Sequence, residues 1–397
     1  YKRQEAGLFR FDKKFLFQPG VKQKIIEAWR ISEVGSVNRS VAKRLRDCRG
    51  MLSTWKKERI FNAKDRIHIL ERRLEWFQSR NYPCWHAIRV IRKELCRAYK
   101  EEELFWQQKS MEKWLKYGDR NSNFFHESVK ANRAKIKLIK IKDVNGVERW
   151  SEEAKAQVAL DYFNELFKSS NPPSYQQVFQ EMVPRVSDAM NQGLMAEVTE
   201  EEIKSAVFSI KASSAPGPDG MSGLFFQQFW EEVGTKVSLE VKNFFERGRM
   251  PTDWNFTYLC LLPKVQDPET MADLRPISLC SVLYKIISKV IVRRLQPLLP
   301  DIISVNQSAF VAERLITDNI GIAHEAVHAL RVNQSIMKEY MVVKTDMSKA
   351  YDKVEWSYLR TLMEALGFAT VWIDLVMACV SSVSFAVLVN DKPFGMI

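Results

Sequence analysis

The sequence predicts an α+β protein whose first part is helical and strongly basic. Apolar residues recur at helical spacing through residues 36–130, and helix and strand patterns alternate from about Val183 onward. Charge divides unevenly: residues 1–150 hold 37 Lys or Arg against 18 Asp or Glu, whereas the remaining 247 residues hold 23 against 30. A basic arm on a mildly acidic body favours a polyanionic partner, although a Lys-rich solvated helix surface would give the same count.

Apolar spacing and breaking residues mark the helices of the basic part. One helix is predicted by Ile60, Ile67, Leu70, Leu74 and Phe77, and Asn81-Tyr82-Pro83 ends it. A second long helix is expected from Trp85 to about Trp114. The basic part is therefore expected to contain a pair of long helices.

A small hairpin is predicted next by Asn145-Gly146, which lies between alternating apolar runs. Ser151, followed by two glutamates, begins a helix that reaches about Phe167. Pro172 and Pro173 then mark a linker.

The second part alternates between the two element types. Thr199 and Glu202 form a capping-box pattern ahead of a helix over 203–210, and a helix over 354–366 is closed by Gly367. Strands are predicted over Tyr258–Leu262, Met341–Val343 and Phe385–Val389.

Asp346 is the first candidate for chemistry, because it follows a predicted apolar strand. Phosphoryl transfer to a nucleotide requires carboxylates that hold two Mg²⁺ ions, and Mg²⁺ prefers such hard oxygen ligands. On spacing alone, an Asp in this position is more often a helix cap or a turn residue.

Two cations beside prolines are the second candidate. Lys264 follows Pro263 and Arg275 precedes Pro276, and the prolines stiffen the backbone at each place. A Lys point charge with a bidentate Arg suits a triphosphate, whereas two exposed surface cations are the commoner origin of such a pair.

Seven segments occur in the order typical of plant LINE-type (non-LTR) retrotransposon reverse transcriptases, and the chain resembles that family over nearly its whole length. One of them, over residues 114–126, resembles the connector between endonuclease and polymerase, and Phe9-Arg-Phe-Asp12 resembles the segment just after the endonuclease. The other six are Ser214-Ala-Pro-Gly-Pro-Asp-Gly220, Leu262-Pro-Lys264, Leu274-Arg-Pro-Ile-Ser278, Asn306-Gln-Ser-Ala-Phe310, Thr317-Asp-Asn319 and Asp346-Met-Ser-Lys-Ala-Tyr-Asp352.

The resemblance implies RNA-directed DNA synthesis by two-metal nucleotidyl transfer, with Mg²⁺ as cofactor, dNTPs as substrates, an RNA template, a target DNA primer and a nuclear location. Asp346 is similar to the first catalytic, metal-binding aspartate, and Met347 would lend its backbone carbonyl to the same metal. Lys264 and Arg275 match the residues that hold the dNTP triphosphate. Tyr351 matches the aromatic ring beneath the incoming sugar, which excludes a 2′-hydroxyl.

Four further positions enter through the same resemblance. Gln307 and Phe310 fall in the segment that supports the fingers and the template. Asp352 is expected to cap the following helix. Glu313 stands where many relatives have Gly, which bears on the geometry of the turn before Arg314.

The resemblance also divides the chain. Residues 1–35 are expected to be the tail of a preceding endonuclease domain, 36–170 a basic, mostly helical connector with a small hairpin, 171–196 a linker, and 197–397 the fingers and first half of the palm of a right-hand polymerase. Both ends look internal to a longer protein. The family's Ala-Asp-Asp motif does not occur before Ile397, so the chain alone is expected to be inactive. A non-catalytic nucleic-acid-binding fragment is the alternative.

His324-Glu325-Ala-Val-His328 fits the zinc-peptidase pattern and supports a remote alternative. Its two histidines share one helix face at i and i+4. The competing interpretation is an amphipathic helix that turns Ala323, Ala326, Val327 and Leu330 toward the core.

Overall fold

The computed structural model describes residues 8–31, 40–57, 63–80, 82, 84–110, 122–251, 253–332 and 339–397, and they form a mixed α/β structure rich in helix. The α-helices are α1 (Val21–Ile31), α2 (Val41–Lys57), α3 (Ala63–Gln78), α4 (Trp85–Ser110), α5 (Ser122–Ile136), α6 (Glu152–Leu166), α7 (Asp188–Leu194), α8 (Glu200–Ser209), α9 (Gly223–Gln228), α10 (Trp230–Arg247), α11 (Val282–Leu295), α12 (Leu299–Ile302), α13 (Ile316–Val332), α14 (Trp356–Ala365) and α15 (Thr370–Ser381). None of these described helices combines the length and apolar character that crossing a membrane requires.

The strands form a hairpin and a four-stranded sheet. The hairpin pairs β1 (Ile141–Lys142) with β2 (Glu148–Arg149). The sheet has the order β4-β3-β5-β6 and contains β3 (Phe256–Pro263), β4 (Leu274–Leu279), β5 (Ser384–Val389) and β6 (Lys392–Phe394). β3 pairs with β4 antiparallel and with β5 in parallel, so two distant parts of the sequence meet along β3.

A large helical core joins the beginning of the chain to its second part. Phe11 and Phe15 stack with ring centroids 5.3 Å apart, and Phe11 also meets Phe225 edge-on. Both lie in one apolar cluster with buried residues of α1, α2, α8, α10, α11 and α15. This core crosses the predicted boundaries at 35 and 196, and the division into domains stays a prediction.

A second core lies between α6 and one face of the sheet. Ala159 and Phe163 of α6 pack with Leu259, Leu261 and Val387 of the strands. The residues around the β1–β2 hairpin join this cluster through Leu138 and Ile141. The α3–α4 pair has a small core of its own, formed by Ile67, Leu70, Ile91 and Ala98.

Polar anchors join α6 to the turn between β5 and β6. The Asn390 side chain accepts from the Leu138 N–H at 2.9 Å and donates to the Leu138 carbonyl at 3.0 Å and to Glu152. Lys155, which is buried, donates to the Leu138 carbonyl at 2.7 Å and to Glu152 at 3.0 Å. These bonds give the buried Lys155 and the half-buried Asn390 and Glu152 partners within the protein.

Local signals in the sequence are confirmed at several elements. The hydroxyls of Ser151 and Thr199 accept from backbone N–H groups of the first turns of α6 and α8. Gly146 and Gly367 have positive φ angles of 78° and 90°, in the β1–β2 turn and after α14.

Three local predictions are wrong. Met341–Val343 forms no strand, because no described strand lies beside it to complete its hydrogen bonds. Asp352 does not cap α14, whose N-cap is Glu355. The predicted core-facing side of α13 is not buried: Ala323, Ala326 and Val327 are exposed and Leu330 is half-buried.

Candidate functional site

Lys264 and Arg275 lie on the same face of the β3–β4 pair. Arg275 is opposite Leu262, and Lys264 follows Leu262 by two residues while its N–H donates to the Asp273 carbonyl at 2.8 Å. Because side chains alternate along a strand and directly opposed residues point to one side, the two cations share a face. Both are exposed, whereas Leu259 and Leu261 on the other face are buried in the second core.

The loop between these strands is held by its own carboxylate. Asp273 accepts from the Thr270 N–H and hydroxyl, both at 2.9 Å, and these bonds with Thr270 hold the pKa of Asp273 below its usual value. Lys264 folds back onto the loop, where its Nζ donates to the Ala272 carbonyl at 2.7 Å. The backbone beneath the two cations is therefore fixed, and the Lys264 ammonium has further donors for a ligand.

The same face is partly covered near the start of β3. A cleft there is lined by Phe9, by Pro216 and Pro218, and by Tyr258 and Leu388 of the sheet. Gly217 and Gly220 permit this close approach: a Cβ on Gly217 would lie 2.6 Å from the Ser281 nitrogen, and one on Gly220 would lie 2.3 Å from the Phe9 carbonyl oxygen. The loop over 214–220 thus closes one end of the face and leaves the end with the cations open.

Asp219 in this loop carries a buried carboxylate oxygen. Its Oδ1 accepts from the Met221 N–H at 3.0 Å, but its Oδ2 is buried without a partner. The residue keeps some surface, although the carboxylate itself is enclosed. Burial raises the pKa of Asp219 to about 6, against smaller opposing effects of the Met221 N–H bond and of the charges on Lys285 and Arg49. Nothing in the sequence of residues 214–220 indicates that this acid is buried.

Asp346 lies in an exposed segment of irregular backbone. Residues 340–347 have no regular secondary structure, and Met341 and Val343 are 84% and 70% exposed. Asp346 is also exposed, as a metal ligand open to substrate must be. Among the described residues, no hydrogen bond or ion pair joins Asp346 to Lys264 or Arg275.

Tyr351 and Phe310 meet beside this segment. Their ring centroids are 6.3 Å apart at an interplanar angle of 83°, and Tyr351 is 78% exposed. The turn before Tyr351 is fixed by Lys349, which has a φ of 55° and places its Nζ 4.6 Å from the ring centroid of Tyr162 in α6. The structure therefore brings together two of the family-matched aromatic residues.

Arg314 organises the loop that carries Gln307 and Phe310. Its guanidinium donates to the carbonyls of Ser304 at 2.6 Å and Gln307 at 2.8 Å, with longer bonds to those of Pro300 and Ile303. Asn319 adds bonds to the Asn306 carbonyl and the Ser308 hydroxyl. Arg314 has no predicted role from the sequence, although its position within a dense run of family motifs is a usable signal.

Asp346 is the one carboxylate predicted from the sequence to hold Mg²⁺, and a single carboxylate is not a complete metal centre. Asp346 offers a hard oxygen to an ion that keeps most of its water. No group of three His, Cys, Asp or Glu residues in the described part of the chain is arranged to hold a metal. A two-ion centre therefore does not fit the described residues alone. For the same reason the zinc-peptidase alternative gains no support at His324 and His328, which are exposed on α13.

Comparisons with known proteins agree with the family resemblance. The family model described as reverse transcriptase (RNA-dependent DNA polymerase) matches residues 262–397. The Transposon TX1 uncharacterized 149 kDa protein of Xenopus laevis is 29% identical over 277 residues, which are 68% of this chain and 21% of that protein.

Two insect relatives also match. The retrovirus-related Pol polyprotein from the type-1 element R2 of Popillia japonica is 28% identical over 43% of this chain and 22% of that protein. The corresponding polyprotein from the type-1 element R1 of Bradysia coprophila is 28% identical over 42% of this chain and 16% of its own length. The chain thus spans about a fifth of the length of these relatives. Residues 262–397 are therefore similar to reverse transcriptases, and the three relatives named above are proteins of transposable elements.

Proposed function

We propose that the chain is part of an RNA-directed DNA polymerase of a non-LTR retrotransposon that acts in the nucleus. Its substrates are dNTPs, its template is RNA and its primer is target DNA. The observation that carries the proposal is the exposed pair Lys264 and Arg275 on one face of β3–β4, inside the region that matches the reverse transcriptase family. The plant-like character of the sequence stays a prediction, since the relatives named above come from a frog and from insects.

In this proposal, β3–β6 belong to the fingers of a right-hand polymerase and Asp346 to its palm. Lys264 meets the triphosphate as a point charge, and Arg275 binds two of its oxygens through the fork of its guanidinium. Tyr351, supported by Phe310, lies under the sugar and excludes a 2′-hydroxyl. Asp346 and the Met347 carbonyl would hold Mg²⁺, and the ion would supply polarisation of the phosphate and activation of the attacking oxygen.

A dNTP-binding measurement tests the carrying observation. Lys264→Ala and Arg275→Ala should each weaken binding of a fluorescent dNTP to the 397-residue chain by roughly ten-fold, because each removes a charge-assisted contact. Lys289→Ala, which removes an exposed Lys from α11, is the matched control and should change the affinity less than two-fold. Equal losses in all three variants would refute the assignment of the triphosphate site.

The alternative is a nucleic-acid-binding fragment without catalysis, which the +12 net charge favours. The 397-residue chain should not extend a DNA primer on an RNA template with Mg²⁺, because Asp346 alone cannot hold two ions about 4 Å apart. Primer extension by the purified chain would show that this expectation is wrong. Addition of an Ala-Asp-Asp-bearing segment that restores extension would decide in favour of the polymerase over the alternative.

A further inference from the structure

The α3–α4 pair is a hairpin with one end attached to the rest of the protein. The Glu71 side chain accepts from the Tyr99 hydroxyl, and the Glu101 side chain accepts from Arg66. The earlier residue of α3 thus pairs with the later residue of α4, as in two antiparallel helices. At this end Gln18 donates to Glu101 at 2.9 Å, and the Lys14 ammonium lies 4.2 Å from the ring centroid of Phe105. Since Trp85 is 16 residues from Glu101, the other end lies roughly 24 Å away along α4.

Charge is divided sharply between the two ends. Residues 72–93, which contain the connection between the helices, hold six Lys or Arg and one Glu. The remainder of the hairpin, over 63–71 and 94–110, holds five Lys or Arg and six Asp or Glu. The basic charge of the hairpin is therefore concentrated at the end away from Gln18 and Lys14, which is the arrangement expected of a phosphate-binding surface.

Exposed tryptophans occupy the same end. Trp76, in the last turn of α3, is 51% exposed, and Trp85, the first residue of α4, is 71% exposed. The Trp76 ring is oriented by edge contact with Phe77 at 4.8 Å and by the Arg80 guanidinium 3.6 Å from its centroid. An indole held in this way presents its remaining surface to a base, and the cation beside it can meet a phosphate.

We propose that this tip, formed by Trp76, Arg80, Trp85 and the neighbouring cations, binds single-stranded RNA by stacking of unpaired bases on the two indoles. The choice of RNA rests on the proposed function, in which the template is the long single-stranded polymer and the target DNA is largely duplex. The faces of the bases are stacked inside a duplex and are not accessible to the indoles. An aromatic surface therefore binds single strands in preference to duplexes, whereas a surface of cations alone would bind both.

Fluorescence anisotropy with a labelled 20-nucleotide RNA, the same RNA as a duplex, and the single-stranded DNA of the same sequence tests this site in the 397-residue chain. Trp76→Ala and Trp85→Ala should each weaken binding of single-stranded RNA about five-fold or more. Trp76→Phe should recover most of the Trp76→Ala loss, because the smaller ring still stacks. Arg80→Ala should weaken binding and lower the salt dependence by about one phosphate contact.

Trp150→Ala is the matched control, because Trp150 is 58% exposed and has the Lys140 ammonium 5.4 Å from its ring centroid. It should change RNA affinity less than two-fold. An equal loss in Trp150→Ala and Trp76→Ala would overturn the site, as would duplex RNA that binds as tightly as the single strand. Single-stranded DNA bound more tightly than RNA would overturn the choice of RNA. The RNA-binding measurement requires no dNTP, no metal ion and no primer extension. A negative result would therefore leave the proposed triphosphate site intact, and a negative dNTP-binding result would leave the proposed RNA site intact.

Discussion

Glu313 lies in the turn before Arg314 with a φ of 65°, a left-handed conformation that favours glycine. Glu313→Gly should stabilise the protein by about 0.5–1 kcal/mol, since relief of the left-handed strain exceeds the larger chain entropy that glycine adds to the unfolded state. Urea unfolding measures the difference. Glu313→Ala is the control and should give no gain, because alanine keeps the Cβ; a glycine variant less stable than the native chain would contradict the argument.

Asp219 gives the stability a pH dependence at the residue scale. Its folded pKa of about 6 lies above the ordinary aspartate value of 3.8, so the folded state holds the proton more tightly than the unfolded state. The resulting stabilisation is complete below the unfolded pKa and is lost as pH rises through the folded pKa. Between about pH 4 and pH 6 the free energy of unfolding should therefore fall by up to about 3 kcal/mol.

Asp219→Asn removes that titration and should flatten the fall, while its Oδ1 can still accept from the Met221 N–H. Urea midpoints at pH 4.5 and pH 7 measure the effect. Asp267→Asn, at an exposed position, should keep the native pH dependence. If the stability of the Asp219→Asn variant depended on pH as steeply as that of the native protein, another titrating group would be the cause of the pH dependence.

At the scale of elements, the Asn390 joint connects α6 to the β5–β6 turn. Asn390→Ala should lower the free energy of unfolding by about 2–4 kcal/mol, because it removes the amide's bonds to Leu138 and Glu152 and leaves a left-handed alanine. Asn390→Gly separates the two causes, since it loses the bonds without the backbone strain. Urea unfolding gives the loss, and hydrogen exchange at the Leu138 amide should accelerate in both variants. If the Leu138 amide stayed protected from hydrogen exchange in both variants, the proposed stabilising role of the Asn390 bonds would be wrong.

The sequence allowed prediction of elements whose signals are local. β3 and β5 were expected from apolar runs, and the β1–β2 turn was expected from Asn145-Gly146. β4 was not predicted, since a proline such as Pro276 normally argues against a strand. β4 lies at the edge of the sheet, however, where a missing N–H is tolerated. Met341–Val343 failed for the opposite reason: its apolar residues fit a strand, but a strand also needs a neighbour, which a local pattern cannot supply.

At the scale of the whole molecule, residues with few local signals proved to be central. Phe11 and Phe15 looked like part of a tail, but they are almost fully buried in the largest core. The same limit applies to the candidate site. The motifs identified Lys264 and Arg275 as separate candidates. That they share one face of the sheet follows from the pairing register of β3 and β4, which local sequence patterns do not predict. Long-range packing of this kind therefore cannot be predicted from local sequence patterns.

The exposed apolar surface of 340–343 and α13 should control solubility. Met341→Lys with Val343→Lys should raise the soluble fraction and delay the onset of light scattering on heating, because it breaks a run of apolar side chains that other molecules can pair with. The free energy of unfolding should change by less than about 0.5 kcal/mol, since both side chains are exposed. Val144→Lys, at an isolated site that is 95% exposed, is the control. Equal gains in both variants would mean that added charge alone is responsible.

The parallel pairing of β3 with β5 also sets the order in which the sheet can be completed during translation. Phe256 pairs with Ser384, so about 130 residues separate the partners. At roughly 5–20 residues per second, a ribosome needs about 6–25 s to deliver β5 after β3 has emerged. During that interval β3 can close only its border with β4, and its other border stays open to any extended peptide in the vicinity. The growing polypeptide thus passes through a period in which a chaperone, or faster elongation between codons 264 and 383, would decide how much of it reaches the finished sheet.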